Sequence, residues 1–174
     1  MIRMPARPAH DEYSSYFAQY VELVPEGDIR ELLARQLDDT SARLSAVSET
    51  QADYRYAPDK WSLKELLGHM TDTERVMSYR SLRVARGDKT SLPGFDQDEF
   101  VRGASFQSAP WSDRLEEYAA VRRSTLLLLR GLSEEAWLRR GLVKDSEMSA
   151  RALAYIIAGH ERHHLNVIVE KYLT

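Results

Sequence analysis

The 174-residue chain contains no cysteine. That excludes disulfides, a thiolate nucleophile of its own and cysteine-ligated zinc. Any thiol chemistry must use a thiol from outside. The chain also lacks an excess of either charge. Its 24 Lys and Arg against 27 Asp and Glu leave a formal charge of -3, so nothing draws the whole chain to nucleic acid or anionic lipid. Local positive stretches such as "RSLRVARGDK" do not change that balance. Long hydrophobic runs are missing as well. "TLLLL" (125–129) is far too short to cross a bilayer, and the opening "MIRMPARPAHDEYSS" has none of the apolar core of a secretory signal. The expectation is a soluble cytoplasmic protein with a small-molecule substrate and neither a nucleic-acid nor a membrane partner. Strand-favouring segments are scarce; the best, "YRYA" (54–57), is too short to anchor a sheet.

What is present is helical periodicity. Residues 1–11 hold Pro5 and Pro8 and read as a flexible tail. Tyr13, Phe17, Tyr20, Val21 and Val24 then recur at helical spacing until Pro25. A long helix is expected from an Asp28 cap to about Ser48, with Ile29, Leu32, Leu33, Gln36, Leu37, Leu44 and Val47 on one side. The clearest start is "WSLKE", where Ser62 and Glu65 form a capping box and Trp61 can staple it from outside. That helix carries Leu63, Leu66, Leu67, Met70, Val76 and Met77, and Gly87 stops it near Arg86. The connection at 87–109 far exceeds the usual helix-to-helix loop. It can cross the whole body and wall a cavity, with "FDQDEFVRG" as a short helical piece. A third helix runs from about Pro110 to Gly131 through Trp111, Leu115, Tyr118, Ala119, Arg122, Leu126 and Leu129, followed by a turn capped by Ser133. The last spans about Ser149 to Tyr172. The expected fold is one all-α domain over 1–174, a four-helix bundle with a long crossover between helices two and three. Trp111, Tyr118 and Trp137 are taken as exposed aromatics able to form an interface.

Three of the five histidines fall in "GHERHHLNV" (159–167). The apolar stripe Leu153, Ile156, Ile157, Val167, Ile168 passes through His160 and His164, one turn apart on one face. Each can be a core histidine satisfied by a hydrogen bond, but two side by side need partners for all their ring nitrogens and resist being charged together. A shared metal ion meets both demands. His69 lies at the rim of the stripe of the second long helix and supplies a third ligand. Three protein ligands leave positions open for water or substrate, the pattern of catalytic sites. Neutral imidazoles suit zinc or nickel better than magnesium. His163 points about 100° away from His164, and His10 receives no role. Asp72, three residues after His69, is read either as a partner of a ligand histidine and its bound water, or as a surface carboxylate paired with Arg75. Glu74 is read as facing solvent. Glu161 is the candidate proton-moving carboxylate beside His160. Arg80, Arg83 and Arg102 are read as surface charges, with reception of an anionic substrate as the alternative.

His160, Glu161 and His164 also fit H-E-x-x-H. A zinc peptidase usually takes its third ligand well downstream, and here only Glu170 follows, on the same helix. No strand-rich region precedes the motif, so that reading is set aside.

"WSLKELLGHMTDTER" and "GHERHHLNVI", separated by a long crossover, resemble the DinB/YfiT-like superfamily of small metal-binding proteins. The resemblance covers nearly the whole chain, including "YFAQYVELVPEGDI" and "YAPDKWSLKELLGH". It implies a bundle of up-down-down-up order, often homodimeric, with a divalent metal on His69, His160 and His164. Activity in the family includes thiol-dependent transferases and isomerases that use low-molecular-weight thiols. The expected function is that of a metal-dependent transferase or hydrolase of a small molecule, with a non-catalytic metal-binding protein as the alternative.

Overall fold

The computed structural model describes residues 6–174. Eight α-helices succeed one another: α1 (Ala18–Val21), α2 (Ile29–Ser45), α3 (Glu49–Ala52), α4 (Leu63–Ala85), α5 (Gln97–Gly103), α6 (Trp111–Arg130), α7 (Glu134–Leu138) and α8 (Ala150–Lys171). Between α7 and α8 an antiparallel hairpin pairs β1 (Arg140–Val143) with β2 (Ser146–Ser149). The expectation of an all-α four-helix bundle is therefore corrected: the described residues form an eight-helix body with a small sheet. The hairpin forms because Lys144 and Asp145 both take left-handed backbone (φ 48° and 62°), the geometry of a tight two-residue turn. Neither is the glycine or asparagine that normally announces one. The short helices α1, α5 and α7 lie where helical spacing before Pro25, "FDQDEFVRG" and the Ser133 cap place helical pieces, whereas α3 goes unannounced because its four residues make little more than one turn.

The long helices begin where their caps dictate. Ser62 accepts from the Glu65 N–H while the Glu65 carboxylate accepts from Ser62 N–H, closing the capping box. Asp28 caps α2 and Ser149 caps α8. Each cap is worth about 1 kcal/mol. α4 packs against α8 and α6, α2 lies on α6 and α8, and α1 crosses α8.

The apolar core is divided. One cluster gathers Val21, Ile29, Leu33, Met77, Val84, Leu129, Trp137, Leu153 and Ile156. A second gathers Leu44, Leu63, Leu67, Met70, Trp111, Tyr118 and Ile168. Along α2 and α8 the first cluster precedes the second; along α4 and α6 it follows. Between the two clusters each long helix contributes buried polar residues: Thr40 from α2, His69, Thr71, Thr73 and Glu74 from α4, Arg122 from α6, His160 and Glu161 from α8. A polar belt thus crosses the middle of an otherwise apolar interior.

Trp111, Tyr118 and Trp137 are buried in these clusters, at 4 %, 1 % and 1 % exposure, so they offer no surface for an interface. Of the tail expected over 1–11, residues 1–5 lie outside the described residues. Arg7 is bonded to the carbonyls of Val21 and Val24, and Arg140 to Asp11. No helix among the described residues is long and apolar enough to cross a membrane.

Candidate metal centre

α4 and α8 bring His69, His160 and His164 together. Their Nε2 atoms form a nearly equilateral triangle: 3.1 Å from His69 to His160, 3.2 Å from His69 to His164 and 3.1 Å from His164 to His160. A neutral imidazole nitrogen either carries a hydrogen and donates, or lacks one and accepts. Three such atoms in a closed ring cannot satisfy one another, because two must share a role and repel. Protonation makes matters worse. Burial holds His69 down at about 4 and His164 at about 3, the latter helped by the neighbouring histidines. Burial and the charges of the other three histidines push His160 well below the ordinary imidazole range. A cation at the centre resolves the conflict by taking a lone pair from each. Zn–N bonds of about 2.0–2.1 Å put adjacent nitrogens on one ion about 2.8–3.4 Å apart, which the triangle matches.

Two glycines make room for the walls. A β-carbon on Gly159, just before His160, would collide with the Tyr20 backbone. The glycine therefore lets α1 press onto α8 and set the Tyr20 ring 5.3 Å from that of His160. Gly68, just before His69, similarly admits the Phe106 ring. Trp61 packs 4.9 Å from the His69 ring on the other flank.

Beside the triangle lies a cavity of about 490 Å³, lined by His69 and His160. Its walls are Ser14 to Tyr20 from the opening segment, Gly94 to Asp98 from the crossover, and Val143 to Ser146 from the hairpin. The expected role of the 87–109 connection as a cavity wall is met by that second group. Thr73, one turn after His69, lines the same space; its Oγ1 is buried with no hydrogen-bond partner.

The carboxylates lie elsewhere. Glu161 faces away from the cavity into the belt. Its Oε1 accepts from Thr40 Oγ1 (2.7 Å) and Tyr118 Oη (2.8 Å), and its Oε2 accepts from Arg122. Arg122, fully buried, also donates to both oxygens of Glu74 (2.8 and 2.9 Å) and to Leu33 O. Burial alone would lower the guanidinium, but Glu161 and Glu74 outweigh it and keep Arg122 charged. Glu74 is thus a buried ion-pair partner and not the solvent-facing residue expected. Asp72 is half-buried, and burial raises its carboxyl above the usual range. Its bond is to Arg75 (3.5 Å), which reaches on to Glu117. Neither Asp72 nor Glu161 is among the cavity's lining residues. His163 stacks edge-on against Tyr20 and His164, outside the triangle.

Sequence reasoning missed Thr73, Tyr20 and the Arg122 network. The sign was there: Thr40, Thr73, Glu74 and Arg122 all fall on the apolar stripes of their helices, where a polar residue needs a reason.

A family model of the DinB superfamily matches residues 32–168. The chain belongs to the DinB superfamily. A protein of Oceanobacillus iheyensis, named as a candidate metal-dependent hydrolase, is 25% identical over 154 residues, covering 84% of this chain and 87% of its own. Among solved structures, YfiT from Bacillus subtilis superimposes with a TM-score of 0.66 at 16% identity, covering 94% of this chain and 89% of its own. It is described as a candidate metal-dependent hydrolase of unusual four-helix-bundle topology. A mycothiol-dependent maleylpyruvate isomerase also reaches 0.66, at 12% identity, over 87% of this chain and 62% of its own. The DinB-like protein YjoA of B. subtilis reaches 0.60 at 17% identity, over 84% and 91%. This DinB chain shares their fold.

Proposed function

We propose that this DinB-superfamily chain is a divalent-metal-dependent enzyme that turns water, or a small thiol supplied from solution, on a small molecule held in the cavity. The observation that carries the reading is the triangle of Nε2 atoms, insoluble by hydrogen bonds, set in the wall of an open cavity. A bound divalent ion would supply a lowered pKa for water or thiol and polarisation of a substrate oxygen. His69, His160 and His164 hold it as neutral ligands. The group comprises three ligands among the described residues, where a closed structural site has four.

The remaining residues bind, exclude and position. Tyr20 and Trp61 press on the ligand rings from both sides and shield them from bulk water. Thr73 lines the cavity from α4, with its hydroxyl buried and without a partner. Glu161 ties α8 to α2 and α6 through Thr40, Tyr118 and Arg122, fixing the register of His160 beside it in the chain. In this reading Glu161 is a positioning residue, and Asp72 is not called upon for proton transfer.

The proposed site suits either hydrolysis or thiol-dependent chemistry, and the relatives' names include metal-dependent hydrolases and a mycothiol-dependent isomerase. The test has two stages. Calorimetric titration with zinc and nickel should show one ion per chain in the parent and far weaker binding in His164→Ala. Loaded protein is then offered activated esters, amides and thiol-reactive electrophiles, with and without a low-molecular-weight thiol. Turnover that requires the ion supports the reading. Tight metal binding with no ion-dependent turnover across both series favours a non-catalytic metal-binding role instead.

A further inference from the structure

Arg80 sits in an unusual position for an arginine. It is 4 % exposed, yet among the described residues no carboxylate pairs with it. Its Nη2 donates to Pro93 O at 2.7 Å, its Nη1 rests 3.6 Å from Met77 Sδ, and the guanidinium lies 5.7 Å from the centre of the Phe95 ring. The only influence on its pKa is burial, which lowers it; no neighbouring charge offsets that. Arg122, which is fully buried, has two carboxylates. A desolvated guanidinium without an anion is costly to maintain, and its fork of N–H donors is only partly used.

Arg80 lines the same cavity as the histidines. It follows His69 by eleven residues, just over three whole turns, so both project from one face of α4 about 16 Å apart along the axis. A helical side chain leans toward the N-terminus, which carries the guanidinium back toward His69. Phe17, Met77, Phe95 and Ile156 furnish apolar surface in the cavity. The charged rim residues Asp96, Asp98 and Lys144 are all exposed to water, so Arg80 is the buried charge of the cavity wall.

We infer that Arg80 anchors an oxyanion subsite, holding the carboxylate or phosphate end of an elongated small molecule whose opposite, reacting end lies at the histidine triangle. The inference deepens the function proposed above and rests on it for the reacting end, but not for the anion. Pro93 O and Phe95 pin the guanidinium in advance, so little ordering is required on binding. A planar carboxylate or a phosphate can take two of its free N–H groups side by side. The apolar middle of the cavity then selects a chain or ring between the two ends.

The experiment uses the full chain stripped of metal, so that no ion can attract the probe. Hexanoate, hexyl phosphate and hexanol are titrated by calorimetry into the parent, Arg80→Met and Arg80→Lys. The expected result is binding of one or both anions, with hexanol far weaker. Affinity should fall roughly ten- to hundred-fold in Arg80→Met and less in Arg80→Lys. Whichever of carboxylate or phosphate binds more tightly identifies the headgroup. Equal anion affinity in the parent and both variants overturns the subsite, as does hexanol binding as well as the anions. If Arg80→Met does not fold, Arg80→Lys against the parent decides alone. Because no metal is present, this result is independent of whether the loaded protein turns anything over.

Discussion

The polar belt contains two clusters that meet at adjacent residues of α8. Glu161 belongs to one and His160 to the other. Around Glu161 the charges are opposite, the donors and acceptors match, and both carboxylates are bonded to one arginine. Around His160 three like atoms face each other with no internal solution. Both clusters are buried, so burial alone does not distinguish structure from function. What distinguishes them is whether the protein completes its own hydrogen bonding. The first cluster is finished and joins four helices, α2, α4, α6 and α8. The second is left open, and its three nitrogens are the group that we propose holds a metal ion.

The contrast can be broken first at Arg122. Arg122→Met should leave Glu74 and Glu161 buried without their cation and destabilise the fold by about 3–5 kcal/mol, read from urea unfolding of the metal-free protein. The matching change in the other cluster should do the opposite. His164→Ala should lower zinc affinity by more than about a hundred-fold, beyond what loss of a supporting hydrogen bond achieves. It should cost the metal-free fold little, because it removes one member of a conflicting triangle.

A pH series sharpens the difference. The folded pKa of His69 and His164 lies below the unfolded value of about 6.5. In the metal-free protein their stability contribution is therefore complete above 6.5. It is lost as pH falls toward the folded values of about 4 and 3. Near pH 5.5 the loss is on the order of 1 kcal/mol per histidine. Thermal melts should show that decline in the parent and a shallower one in His164→Ala. The smallest effect is expected from Tyr118→Phe, which removes one of three donors to Glu161. It should cost about 1 kcal/mol and leave zinc affinity within a few-fold.

Much of this architecture could be read from residue order alone. Ser62, Asp28 and Ser149 announced their helices because capping is local chemistry, decided within three residues. The histidine pair was visible because one turn of helix separates its members, and His69 because the stripe of α4 had to enter the same core. What stayed hidden depends on partners far away in the chain. Glu74 and Arg122 fall on the apolar stripes of their helices, but neither helix alone names the other as partner. Only packing of α4 on α6 brings them into contact 48 residues apart. Arg80 was masked because an arginine by default reads as a surface charge. The hairpin hid behind a Lys-Asp turn that carries no sequence signature, and Trp111, Tyr118 and Trp137 gave no sign of how deeply neighbouring helices cover them.

The close approach at Gly159 has a consequence for how the molecule is completed. The opening segment reaches α8 through that glycine and through Glu12, which bonds Arg151 and Ser149 across a separation of 139 and 137 residues. Almost the entire chain must be closed into a loop before those contacts form, so their entropy of closure is among the largest in the fold. The histidines need only α4 and α8. A protein shortened to begin at Glu22 would lose Ser14, Tyr16, Phe17 and Tyr20 from the cavity wall while keeping all three ligands. The opening segment thus completes a cavity that the crossover and the hairpin also wall, while the three histidines come from α4 and α8 alone.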